Sequence, residues 1–137
     1  NLELKTLPKN FKKFPVTERV IELIRALEID PDQLIISSFN HSWLRQVEAM
    51  APSIEIQALI GYFEDDPLDW GDFSFSTYNA LSTRIDEEQI ARAKNKKKSI
   101  NLFTVNEKSE MVHFINAGVN GLITDYPQRL ATIVKEA

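Results

Sequence analysis

Glu3 and Lys5 are the sharpest chemical pair in the sequence. They stand two apart in Asn1-Leu2-Glu3-Leu4-Lys5, whose alternation, read as a strand, puts both charges on one face and Leu2 and Leu4 on the other. A carboxylate and an ammonium on one strand face can hold each other, remain in water, or meet a hard cation and an anion. Removing such charges from water unpaired costs several kcal/mol per ion, so their partner decides what they do. The two histidines are weaker candidates. His41 follows the end of an apolar run and reads as a solvated neighbour of a helix cap, while His113 lies inside a helical stretch away from every strand end. The acidic stretch from Glu64 to Asp72 has oxygens enough for calcium but lacks the Asp-x-Asp-x-Asp-Gly order of an EF-hand, so it reads as a solvated loop. Lys94, Lys96, Lys97 and Lys98 precede a strand and read as a solvated turn.

The elements that must position these residues follow from periodicity. The clearest unit is Ser99 to Pro127: a β-branched and aromatic strand over 99–105, Asn106 as helix N-cap, Met111, Phe114 and Ile115 as one apolar stripe, and Gly118 as the helix stop. Leu122–Thr124 then reads as a short strand, with Pro127 opening a last helix that carries Leu130, Ile133 and Val134. Earlier, Val20, Leu23, Ile24 and Leu27 predict a helix over 16–28, Leu34–Phe39 a strand covered on both sides, and Asn40 or Ser42 a cap for a helix to Met50. Strands over 54–60 and 73–78 and a helix over 86–93 complete the pattern. Residues 6–15, bracketed by Pro8 and Pro15, read as loop.

Six strands mostly alternating with helices predict an α/β fold with a parallel sheet. An open doubly wound sheet and a (β/α)8 TIM barrel compete, and the absence of a Gly-rich phosphate loop lowers the nucleotide-binding form of the first. A barrel of eight units needs about 250 residues, so 137 residues would give an incomplete one. Its chemistry would lie where strands stop, at Glu3, Lys5, Phe39, Gly61, Tyr78, Asn79, Phe103, Asn106, Thr124 and Asp125.

Composition narrows the classes. With 43% hydrophobic residues the chain can build a core, and a net charge of -4 argues against sequence-independent hold on nucleic acid. Without cysteine there is no disulfide or thiolate chemistry, which fits a reducing compartment, and a cytoplasmic location is the expectation. No apolar run reaches the roughly 20 residues of a membrane span.

Four stretches together resemble the glycerophosphodiester phosphodiesterase family: Asn1-Leu2-Glu3-Leu4-Lys5, Ile36-Ser37-Ser38-Phe39-Asn40-His41-Ser42-Trp43-Leu44, Phe103-Thr104-Val105-Asn106, and Gly118-Val119-Asn120-Gly121-Leu122-Ile123-Thr124-Asp125-Tyr126-Pro127. The resemblance implies a (β/α)8 barrel that hydrolyses glycerophosphodiesters to glycerol 3-phosphate and an alcohol with a divalent metal, calcium or magnesium. It implies Glu3 as a metal ligand, Lys5 facing the phosphate, and Phe39 as an apolar wall. At Phe103 the family often has tryptophan, so the wall is kept and an indole N–H is lost. The family's His-Arg-Gly stretch on strand one, Glu-x-Asp pair on strand two and further histidine have no counterpart on the strands read here. The chain would then hold strands three to eight, residues 1–137 forming the C-terminal portion of one barrel domain. No catalytic acid or base is expected within it, those histidines being expected upstream, and the fragment alone should be catalytically poor.

Two other readings stand beside this one. The barrel could be catalytically degenerate and serve as a binding or scaffolding module, or act on a sugar phosphate, against which the Thr124-Asp125 carboxylate speaks. The expected partner is a small-molecule glycerophosphodiester, with no nucleic acid and no membrane span; the pattern does not fix an oligomeric state. Open sheet edges make the isolated 137-residue chain self-associate. Light scattering across a sizing column should find oligomers or aggregate, and a monodisperse, cooperatively melting monomer would contradict it.

Overall fold

A computed structural model of the protein describes residues 1–62 and 67–136. Glu64, Asp65 and Asp66, which open the acidic stretch, lie outside the described residues. The chain divides into two units, Asn1–Leu59 and Ile60–Ala137.

In the first unit β1 (Leu2–Glu3), β2 (Ile35–Ser38) and β3 (Glu55–Ile60) pair in parallel, with Leu2 opposite Ile36, and Ile36 opposite Ile56. Helices α1 (Val16–Ala26) and α2 (His41–Met50) make the crossovers. Burial on both faces explains the near-continuous apolar run: Ile36 and Ala58 are inaccessible, as are Leu44 and Val47 on α2. Asn40 caps α2 as expected, its Oδ1 accepting the Trp43 N–H at 3.3 Å.

The expected face of α1 needs correction. Thr17, Ile21 and Ile24 are buried, while Leu23 and Leu27 are 58% and 63% exposed. Two apolar stripes overlap on this helix. The Thr17 hydroxyl, donating to Gln46 Oε1 at 2.7 Å on α2, accompanies the inward turn of the Ile21 side.

In the second unit β4 (Thr77–Leu81), β5 (Ser99–Phe103) and β6 (Gly121–Leu122) pair in parallel, with Asn79 opposite Asn101 and Leu102 opposite Leu122. Helices α3 (Glu87–Asn95), α4 (Lys108–Ala117) and α5 (Pro127–Glu136) alternate with them. The α/β class with six parallel strands among the described residues is as expected. Asp86 and Gln89 form a capping box on α3, and Gly118, at φ +78°, ends α4 in the left-handed conformation.

Several local expectations fail here. The strand expected over 73–78 runs over 77–81, because Phe73 takes φ +56° and leaves the extended region. Trp70, Phe73 and Phe75 instead pack around the Tyr78 ring at centroid distances of 5.4–6.0 Å, and the Tyr78 hydroxyl accepts the Phe75 N–H. Strand ends at Tyr78 and Asn79 were therefore misplaced; both lie buried inside β4. Asn106 does not cap α4, whose N-cap is Glu107, since the Asn106 side chain is committed elsewhere. The strand over 122–124 is instead Gly121–Leu122, and on the last helix Ile133 is buried while Val134 is 58% exposed.

Gly61, directly after β3, sits at φ +88°, and a Cβ there would lie 2.6 Å from Leu81 Cβ and 2.7 Å from Leu68 Cδ2. Strain and clash add, so Gly61→Ala should lower stability by roughly 1–3 kcal/mol in urea unfolding.

Candidate functional site

At the carboxyl end of β1, register aligns Glu3 with Ser37 and Ser37 with Gln57, so the three share one cross-strand row on one sheet face. The row is polar, with Ser37 and Gln57 buried. Ser37 Oγ donates to Asn1 Oδ1 at 3.0 Å, and Gln57 Nε2 donates to Glu55 Oε1 at 2.8 Å. Glu3 and Lys5 are both exposed. Among the described residues neither side chain has a hydrogen-bond or ion-pair partner, so they do not pair with each other.

Their backbone is nevertheless fixed. Leu4 N–H donates to the Ser37 carbonyl at 2.8 Å, and the buried Ser38 hydroxyl donates to the Leu4 carbonyl at 2.7 Å while accepting the Asn40 N–H at 3.0 Å. One hydroxyl thus ties the end of β1 to the start of α2. Phe39, half-buried between the two tethered residues, is held by the same bonds. His41 is not a solvated cap neighbour: its Nε2 lies 2.9 Å from the Leu59 carbonyl, fastening α2 to β3.

The donor set can be tested against a metal. A free, exposed carboxylate at a strand end suits one coordination site of a hard divalent ion. Among the described residues no three His, Cys, Asp or Glu gather in a group able to hold one. Glu3 fits as a single ligand of an incomplete set. The described Asp69 and Asp72 serve local turns, accepting Gly71 N–H and Ser74 N–H.

In the second unit Phe103 ends β5, half-buried, on the strand face that also carries Asn101. Asn101 Nδ2 donates to Asn79 Oδ1 at 2.8 Å across the strand pair, a part-buried polar link. Beyond Phe103, Asn106 joins the ends of β5 and β6. Its Oδ1 accepts Thr124 Oγ1–H at 3.1 Å and Asp125 N–H at 3.0 Å, and its Nδ2 donates to Asp125 Oδ2 at 2.9 Å. Arg129 on α5 donates to the Asn106 carbonyl and lies over the Tyr126 ring at 4.4 Å. The sequence placed Asn106, Thr124 and Asp125 at strand ends but not in one network. His113 is exposed on α4, edge-on to Phe114, and lines a cleft of about 470 Å³ with Ile90, Lys94 and Asn116, all from helices rather than strand ends. Lys94 Nζ lies 3.4 Å from the Ala117 carbonyl, so that lysine has a structural contact at the end of α4.

Residues 7–129 match the glycerophosphoryl diester phosphodiesterase family. A glycerophosphodiester phosphodiesterase of Caldanaerobacter subterraneus subsp. tengcongensis is 34% identical over 125 residues, 88% of this chain and 50% of that protein. The crystal structure of a glycerophosphodiester phosphodiesterase from Parabacteroides distasonis superposes with a TM-score of 0.78 at 18% identity, over 98% of this chain and 56% of that one. An Oleispira antarctica phosphodiesterase, solved in complex with the product sn-glycerol-3-phosphate, does so at 0.76 and 19%, over 98% and 54%. The structural likenesses show a shared fold. The chain spans about half the length of the curated relatives it matches.

Asn106→Asp tests the strand-end network. It would set a second carboxylate against Asp125 in place of the Nδ2 donor, so the two repel when both are ionised. That arrangement is tolerated at low pH, where carboxyls are protonated, and penalised once both are charged. Thermal melts should find the variant weaker by about 1–2 kcal/mol near neutral pH, with the deficit shrinking on acidification.

Proposed function

The chain belongs to the glycerophosphoryl diester phosphodiesterase family, and from that membership we propose that the protein hydrolyses glycerophosphodiesters to glycerol 3-phosphate and an alcohol. The observation that carries the reading is the pair Glu3 and Lys5, exposed at one strand end with side chains that have no partner among the described residues. An acid and a base held open in this way are available to a cation and a phosphate. The product in the Oleispira antarctica structure supports the same substrate class. Residues 1–137 are read as the C-terminal portion of one (β/α)8 barrel, strands three to eight, a reading supported by their covering about half of each curated relative.

Each residue has a distinct part. Lys5 brings a compact positive charge with three rotatable donors to a phosphate oxygen and offsets the negative charge that grows during hydrolysis. Glu3 is proposed as one ligand of calcium or magnesium, with the other ligands from residues outside this chain. When bound, such an ion supplies Lewis-acid charge to a phosphate oxygen. Neither residue transfers a proton. His41 is held to a main-chain carbonyl and His113 lies on an outer helix, so the general acid and base are assigned to residues outside this chain, and these 137 residues alone are read as inactive. Phe39, in the same unit as Glu3 and Lys5, is proposed as an apolar contact to substrate carbon.

In the native-length protein Lys5→Ala should lower kcat/KM about a hundredfold, with Lys5→Arg retaining part of the activity. Glu3→Gln should raise the metal concentration needed for half-maximal rate. A native-length protein that releases no glycerol 3-phosphate from any glycerophosphodiester with calcium, magnesium or manganese would sink the hydrolase reading. Retained binding of glycerol 3-phosphate in that case would favour a binding module.

A further inference from the structure

The segment between β1 and α1 combines features that the hydrolase reading does not use. From Lys5 to Pro15 the chain carries four lysines and no acid, within a protein of net charge -4. Lys9, Lys12 and Lys13 are exposed, and so are two large aromatics, Phe11 at 57% and Phe14 at 48%. None of these five side chains has a hydrogen bond, ion pair or ring contact among the described residues.

The loop is nonetheless ordered by its own backbone. Phe11 N–H donates to the Pro8 carbonyl and Phe14 N–H to the Phe11 carbonyl, both at 2.8 Å, and Val16 N–H donates to the Phe14 carbonyl at 2.9 Å. A 3₁₀ turn over Lys9–Phe11 opens this series, and Phe14 follows just beyond it. Phe11 and Phe14 stand three apart, with Lys12 and Lys13 between them. Two water-exposed rings interleaved with cations are an arrangement that water disfavours and an anionic bilayer surface rewards, the rings entering the boundary below the headgroups and the lysines facing lipid phosphate and carboxylate.

We propose that residues 9–14 form a peripheral docking loop for an anionic lipid surface. Charge complementarity selects this partner. A wrapping polyanion would also meet the remainder of a chain that is acidic overall, whereas a flat surface need touch only a projecting loop. Phenylalanine, lacking a polar handle, fits the acyl side of the headgroup boundary.

The test is vesicle sedimentation with the native-length protein, which reads binding without turnover and is independent of the hydrolase reading. Expected is binding to phosphatidylcholine vesicles containing phosphatidylserine, weak binding to pure phosphatidylcholine, and release as salt is raised. The triple variant Lys9→Ala/Lys12→Ala/Lys13→Ala should weaken it about a hundredfold, at roughly fivefold per lysine. Phe11→Ser/Phe14→Ser should weaken it while leaving hydrolysis of a water-soluble glycerophosphodiester and the melting profile unchanged. Equal binding to both vesicle types, no vesicle binding, or binding that survives both variants overturns the proposal. Preferential binding to single-stranded DNA over the anionic vesicles also overturns it, pointing to a polyanion site instead.

Discussion

The structure depends on one constraint: main-chain groups at the ends of strands covered on both faces have no water to bond, so side chains must complete what the ladder leaves open. Ser38 completes β1 by taking the Leu4 carbonyl. Asn120 completes the approach to β5, its Oδ1 accepting the buried Ile100 N–H at 2.9 Å while its own N–H returns to the Ile100 carbonyl at 2.8 Å. Asn106 completes the ends of β5 and β6, and His41 takes the carbonyl near the end of β3. These residues also fix the backbone carrying Glu3, Lys5, Phe39 and Phe103. Finishing the sheet and placing the candidate groups are therefore one task, performed by Ser, Asn and His because their short polar side chains can reach a neighbouring strand or its following loop.

Most of the element order was legible because it rests on local chemistry. The cap at Asn40, the helix stop at Gly118 and the opening proline at 127 each act within a few residues, and each behaves as its type dictates. The failures at Asn106 and on α1 involve distant partners, and the one at Phe73 a local ring cluster. Asn106 has the side chain of a cap but finds better partners in Thr124 and Asp125, nearly twenty residues on. Phe73 and Phe75 have strand propensity, yet the ring of Tyr78 gathers them into a cluster that the extended conformation would break. On α1 two apolar stripes compete, and a hydroxyl bond to Gln46 accompanies the one that is buried.

The candidate site was legible in a different way. Period-two spacing put Glu3 and Lys5 on one face, and the ordered motifs carried the family. What could not be read was their lack of partners: spacing allows a mutual ion pair as readily as two separate charges, and only the fold shows them open to solvent. Ser37, Gln57 and Asn79 are buried polar residues within the strands, and Asn101 is half-buried. Sequence could not say which of them bond one another, since that needs the register that sets Asn79 beside Asn101.

Average charge and local charge lead to opposite expectations here. The chain total of -4 disfavours a polyanion spread over the surface, but an electrostatic potential is set by the charges within about a Debye length. From Lys5 to Phe14 every charge is positive. Lys5 begins that run and also stands at the strand end proposed to face phosphate, so the segment that would hold a phosphodiester is continuous with the segment that would meet a lipid surface. A surface bearing lipid phosphates and a substrate bearing a phosphodiester present the same charge to this stretch. What separates them is the apolar component: Phe11 and Phe14 have a use at a bilayer and none toward a small diester held at Lys5.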